Sequence, residues 1–140
     1  MAIEEKIAHL GFIQGVINRM TNNSFLIKGW LITLLAATFA LSTEKPDPKF
    51  AFLAIFPLLF FWWLDAFFLY QEKLYRKLYE KVANDQEPCN EFSMNAYKYK
   101  NDVAPFYKVF FSSTLSSFYG AIAALTTIVM WKILYLIKPY

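Results

Sequence analysis

The sequence predicts an all-α membrane protein with three transmembrane helices and an N-terminal amphipathic helix. Three observations predict it. Of the 140 residues, 57% are hydrophobic and 20% aromatic, while only 18% are charged, against about 25% in an average soluble domain. Three long apolar runs, 25–41, 50–70 and 106–137, each approach or exceed the length of a bilayer crossing. Prolines and charges concentrate between these runs, and within them only Lys28, Pro57, Asp65, Lys108 and Lys132 interrupt the apolar and small residues. A soluble chain of this size buries too little of its surface to hide 15 Phe, 9 Tyr and 4 Trp. The composition therefore excludes a disordered chain, a disulfide scaffold and an ordinary soluble enzyme, and it makes 1–140 a single membrane domain.

Residues 3–20 carry Ile3, Ile7, Leu10, Ile13, Ile17 and Met20 at helical spacing. This is the pattern of a helix that lies in the membrane interface or packs on a neighbouring element. Gly11 and Gly15 weaken it by about 1 kcal/mol each relative to Ala. Thr21, Asn22, Asn23 and Ser24 are expected to break this helix, with Ser24 capping the next one. The first span follows at 25–42. Its 17 apolar-run residues cover about 25 Å, and Lys28 sits near its start, where its stem can reach back to the headgroups.

Glu44, Lys45, Pro46, Asp47 and Pro48 make a tight turn. The second span, 49–71, contains Pro57, which removes one backbone hydrogen bond and is expected to kink the helix. Leu74, Tyr75, Leu78, Tyr79 and Val82 continue an apolar stripe beyond it. One helix is therefore expected over 49–84, with 72–84 extending into the cytoplasm. That stripe is a candidate face for helix 3–20, for a second copy or for a cytoplasmic protein partner. Asn84 to Pro88 end the helix, and 85–104 form a polar connector. Pro105 suits the first turn of the third span, 106–137.

Basic residues set the orientation. Lys6, Arg19, Lys28, Lys73, Arg76, Lys77, Lys81, Lys98, Lys100 and Lys108 fall on one side, and Lys45, Lys49, Lys132 and Lys138 on the other. Ten against four places the N-terminus and the 72–105 segment in the cytoplasm. The single cysteine, Cys89, is then a reduced thiol. The net charge of +3 carries no argument for direct nucleic-acid binding.

Asp65 is the sharpest chemical signal. It lies within Phe60-Phe61-Trp62-Trp63-Leu64-Asp65-Ala66-Phe67-Phe68. A carboxylate inside a span costs about 2.5–3.5 kcal/mol even on the lenient insertion scale, so it requires a partner. A hairpin turning between Lys45 and Pro46 sets residue 65 level with residue 26, within one turn of Lys28. An Asp65–Lys28 ion pair would fix hairpin register; Trp30 or a neighbouring subunit are the other partners considered. A pore-lining carboxylate is the functional alternative.

The third span is rich in small and hydroxylated residues. Ser116, Gly120 and Ala124 repeat every four residues, as do Ser113, Ser117 and Ala121, and Thr127 extends the face. Such spacing lets helices approach closely in lipid, or lines a hydrated path in an oligomer. There is no glycine-rich phosphate loop, nucleophile elbow or cysteine–histidine metal cluster in the sequence, and His9, the one histidine, is expected to be solvated or interfacial. No enzyme, cofactor or metal is expected.

The segments Asn23-Ser24-Phe25-Leu26-Ile27-Lys28-Gly29-Trp30 and 63–79, from Trp63 through Asp65 to Tyr79, resemble a group of small bacterial multi-pass membrane proteins. The layout over roughly 1–84 also resembles the SLATT-like transmembrane effectors of antiviral defence loci. What that resemblance implies is a homo-oligomeric inner-membrane protein that permeabilises or senses the membrane when a partner is triggered. A non-conducting scaffold for a cytoplasmic partner, a small transporter subunit and a holin-like protein are the other functional classes open to such a chain.

Overall fold

A computed structural model describes residues 2–88 and 91–138; Cys89 lies outside them. The described residues are mostly helical, with no strand among them. Helix α1 spans Ile3–Glu44, α2 Lys49–Ala83, α3 Phe106–Phe110 and α4 Ser113–Ile137, and a short 3-10 turn covers Ala96–Tyr99. Helices α1, α2 and α4 are each long and apolar enough to cross a membrane. At most 22% of the most apolar 18-residue window of any of them is buried. Phe52, Phe56, Trp131 and Leu136 are all more than two-thirds exposed. A continuous apolar exterior of this extent needs lipid as its solvent.

The expected break at Thr21–Ser24 is absent: α1 runs through it without interruption. Thr21 folds its hydroxyl back to donate to the Ile17 carbonyl at 3.0 Å, so its side chain joins the helix instead of competing with it. Helix propagation gains one hydrogen bond per residue, whereas a break requires a second, costly nucleation. Ser24 is consequently an interior residue and not a cap. The amphipathic stretch 3–20 is the first part of α1, not a separate helix.

The chain forms two compact units. One comprises 1–24 and 66–109, the other 25–65 and 110–140. In the first, Ile13 and Ile17 of α1 pack with Leu74, Leu78 and Val82 of α2 and with Ala96. Half-buried Leu10, Tyr70, Tyr75, Tyr79, Met94, Tyr99 and Val103 surround this core. The inward face of α1 is thus His9, Ile13 and Ile17, while Ile3 and Ile7, expected on the same stripe, are exposed. His9 corrects the expectation of a solvated side chain. It is fully buried, its Nε2 lies 2.8 Å from the Ser93 carbonyl, and Phe92 meets its ring edge-on. That carbonyl can only accept, so Nε2 carries the proton.

Helix α2 passes through Pro57 and ends at Ala83. Gln86 N–H donates to the Lys81 carbonyl and Asp85 N–H to the Val82 carbonyl. Asp85 takes the left-handed conformation, at φ 56°. This is a Schellman cap with aspartate where glycine is usual, and Lys6 pairs with that aspartate at 2.9 Å.

In the second unit the α1–α2 turn is capped by Asp47, whose Oδ1 accepts from the Lys49 N–H at 2.8 Å. The core comprises Ile27, Leu31 and Leu35 of α1, Ala54 and Leu58 of α2, and Leu115, Tyr119, Met130 and Ile133 of α4. The third span differs from expectation at its start: 106–137 is not one helix. Trp62 Nε1 donates to the Phe110 carbonyl at 3.0 Å, and Ser112 is extended, at ψ 153°. The Ser112 carbonyl then accepts the first bond of α4, from Ser116 N–H at 2.8 Å.

Two measurements check this account. Amide exchange in detergent is expected to be as slow at 21–24 as at 13–17; fast exchange confined to 21–24 would show a broken helix. Leu78→Ala, at a fully buried position, is expected to lower stability by about 2–5 kcal/mol, read by denaturant titration in mixed micelles.

Candidate functional site: a sealed carboxylate in the second unit

The α1–α2 turn is four residues long, so the two antiparallel helices run in a fixed register from it. That register brings Lys28 on α1 to Asp65 on α2, and Lys28 Nζ donates to Asp65 Oδ2 as an ion pair. The carboxylate is completely buried, while the Lys28 side chain is about one-fifth exposed. The aliphatic stem of Lys28 therefore covers the acid while its ammonium retains some access outward.

Helix α4 closes the site from the other side. Tyr119, also fully buried, donates its hydroxyl to Asp65 Oδ2 at 2.8 Å. The Phe61 carbonyl stands at 3.3 Å as a longer second acceptor. The Trp62 indole stacks on Tyr119 at 5.6 Å between centroids and on Phe110 at 4.9 Å, the planes within 7° and 5° of parallel. Lys28 Nζ lies 5.6 Å from the centroid of Phe118, an additional attraction for the cation. Lys28 thus neutralises the carboxylate, Tyr119 hydrogen-bonds it and aromatic rings wall it, all from a single chain.

This arrangement suits a structural lock better than a conduction site. Charged and polar groups that line a path must meet water, and Asp65 has no exposed surface. Among the described residues of the second unit Asp65 is the one buried acid or imidazole, whereas a proton relay uses several. Trp30, weighed as another partner, is 63% exposed and does not contribute. Tyr119 and Trp62 were not singled out from the sequence. The available signal for Tyr119 was one phenol among the small residues of the third span.

Leu74, Leu78 and Val82 are buried within the first unit, and Tyr75 and Tyr79 are half-buried against the same core. That face is occupied by the chain's own Ile13 and Ile17. On α4 the inward residues are Leu115, Tyr119, Thr126, Met130 and Ile133. Ser113, Ser117, Gly120, Ala124 and Thr127 are exposed, and Ser116 is half-buried. At about 100° per residue, these small residues occupy the side of the helix away from the chain's own core. Among the described residues no group of three or more His, Cys, Asp or Glu forms a metal site.

Comparison with protein-family models, curated proteins and solved structures finds no match for this chain.

The lock makes a testable distinction. Asp65→Ala leaves a cation in an apolar site, and the loss of stability is expected at about 3 kcal/mol, the low end for a broken buried pair because Lys28 can turn outward. The double variant Lys28→Met with Asp65→Leu is expected to recover most of that loss, both read by denaturant titration in mixed micelles. A double variant as unstable as Asp65→Ala would show that the charges do more than neutralise each other.

Proposed function

We propose that this chain is a non-enzymatic, homo-oligomeric protein of the bacterial inner membrane, with its N-terminus in the cytoplasm, that perturbs or permeabilises the membrane as an effector or accessory of an antiviral defence system. The observation that carries the reading is the small-residue face of α4. Ser113, Ser117, Gly120, Ala124 and Thr127 lie exposed on a helix long and apolar enough to span a bilayer. Helices associate in lipid by close backbone approach, and small residues at four-residue spacing permit it. Three spans enclose no channel by themselves, so any passage must be built from several copies. With Asp65 sealed inside each chain, such a passage would be lined by the serine and threonine hydroxyls and not by a carboxylate.

A non-conducting scaffold for a cytoplasmic partner is the second reading. It is favoured by the same sealed Asp65, because no intramembrane charge is then offered to an ion.

Gly120→Leu separates assembly from folding, because a Cβ added at Gly120 meets no atom within 4 Å. In nanodiscs the wild type is expected to hold several chains. Gly120→Leu and Ala124→Leu are expected to shift it towards single chains with unchanged helicity, and to abolish dye release from liposomes. A wild type that remains a single chain overturns the assembly. An assembled wild type that retains dye, even with its genetic partner present, overturns permeabilisation in favour of the scaffold.

A further inference from the structure

Within the first unit an open groove is lined by Lys73, Arg76, Lys77 and Glu80 of α2 and floored by Val103 and Ala104. The three cations stand at i, i+3 and i+4, so they share one helical face. Arg76 pairs with Glu72 at 2.8 Å and Lys77 with Glu80 at 3.0 Å. Among the described residues Lys73 has no ion-pair partner, and it is exposed. The groove therefore holds an uncompensated cation beside a guanidinium paired with the largely buried Glu72 and an ammonium paired with the exposed Glu80.

The place of this groove along the chain sets its depth in a membrane. Tyr70 ends the apolar run of the second span, and Phe106 and Tyr107 open the third. Tyr70 and Phe106 meet edge-to-face at 6.0 Å and 84°, and Tyr107 is 62% exposed. Amphipathic rings of this kind collect at the level of lipid headgroups. Lys73 lies about 4–5 Å beyond Tyr70 along the helix, and Lys77 about 10 Å beyond it. The headgroup layer is roughly 5–8 Å thick on each side. Lys73 thus falls within the headgroup layer, and Arg76 and Lys77, just beyond its outer edge, can reach back to it with their long side chains, while Val103 and Ala104 add apolar lining to the same groove.

We propose that this groove is a binding site for the phosphodiester headgroup of an anionic phospholipid, with Lys73 as its principal contact and Arg76 and Lys77 flanking. A lipid phosphate is held at this depth by the bilayer itself, whereas a free phosphate must be drawn from solution. The proposal rests on the chain's crossing the membrane and holds whether or not copies assemble, so the nanodisc mass and the lipid measurement can fail separately.

The experiment is native mass spectrometry of the full chain released from nanodiscs of mixed phosphatidylcholine and phosphatidylglycerol. Phosphatidylglycerol is expected to be retained above its bulk fraction. Lys73→Gln is expected to lower that enrichment about three- to fivefold, since one basic residue near an anionic surface is worth about that factor. Lys73→Gln with Arg76→Gln is expected to abolish it, and Lys45→Gln with Lys49→Gln, in the opposite turn, to leave it unchanged. All these side chains lie at the surface, and circular dichroism checks that each variant keeps its helicity. Equal enrichment in wild type and the Lys73→Gln, Arg76→Gln variant overturns the site. Enrichment abolished by millimolar inorganic phosphate, with the same affinity for phosphate in detergent, overturns the lipid assignment.

Discussion

Lipid offers a buried carboxylate neither water nor screening, so the helix that carries Asp65 is stable in the membrane only with that charge answered. The answer comes from two directions. Lys28 supplies the opposite charge and Tyr119 supplies a hydrogen bond. Because the two groups sit on different helices, satisfying one oxygen ties α1, α2 and α4 together in the second unit. Apolar packing between helices in lipid is weakly directional, since the acyl chains are as apolar as leucine. A polar contact with a fixed geometry therefore selects one register among several with similar packing.

The ring stack follows from the same constraint. Tyr119 reaches Asp65 with its ring stacked on Trp62, and Trp62 in turn donates to the Phe110 carbonyl. That bond occupies a carbonyl just before the extended residue Ser112, where α3 and α4 part. The first unit solves a different problem. Its core is aliphatic, and its buried polar side chain is His9, whose Nε2 donates to the Ser93 carbonyl while Nδ1 has no hydrogen-bond partner among the described residues. Its helix ends by a Schellman cap on Asp85, whose left-handed backbone is tolerable for an aspartate that also holds Lys6.

These two solutions leave different surfaces. The stripe Leu74, Leu78 and Val82 is consumed inside the first unit, and the charge of Asp65 is consumed inside the second. Beside the apolar exterior that faces lipid, the small-residue face of α4 and the basic groove beside Lys73 stay uncovered. The functional reading accordingly rests on those two surfaces: one suited to another helix, the other to an anion at the membrane interface.

By itself the sequence determined the helical class and the second helix with its extension, read as 49–84, and it offered Lys28 as one partner for Asp65 beside Trp30 and a neighbouring subunit. Each follows from short-range arithmetic: a span length, a periodic stripe, and equal distances counted from a four-residue turn. Tertiary structure alone decided the rest. Thr21–Ser24 reads as a break by residue type, yet the helix continues, because a side chain that bonds its own turn does not interrupt it. Tyr119 could not be matched to Asp65 beforehand, because the connector of about twenty residues leaves the register of α4 against the hairpin open. His9 looked solvated because its burial depends on Phe92 and Ser93, more than eighty residues away. Local patterns carry periodicity and length; which face meets which partner is set only when distant segments pack.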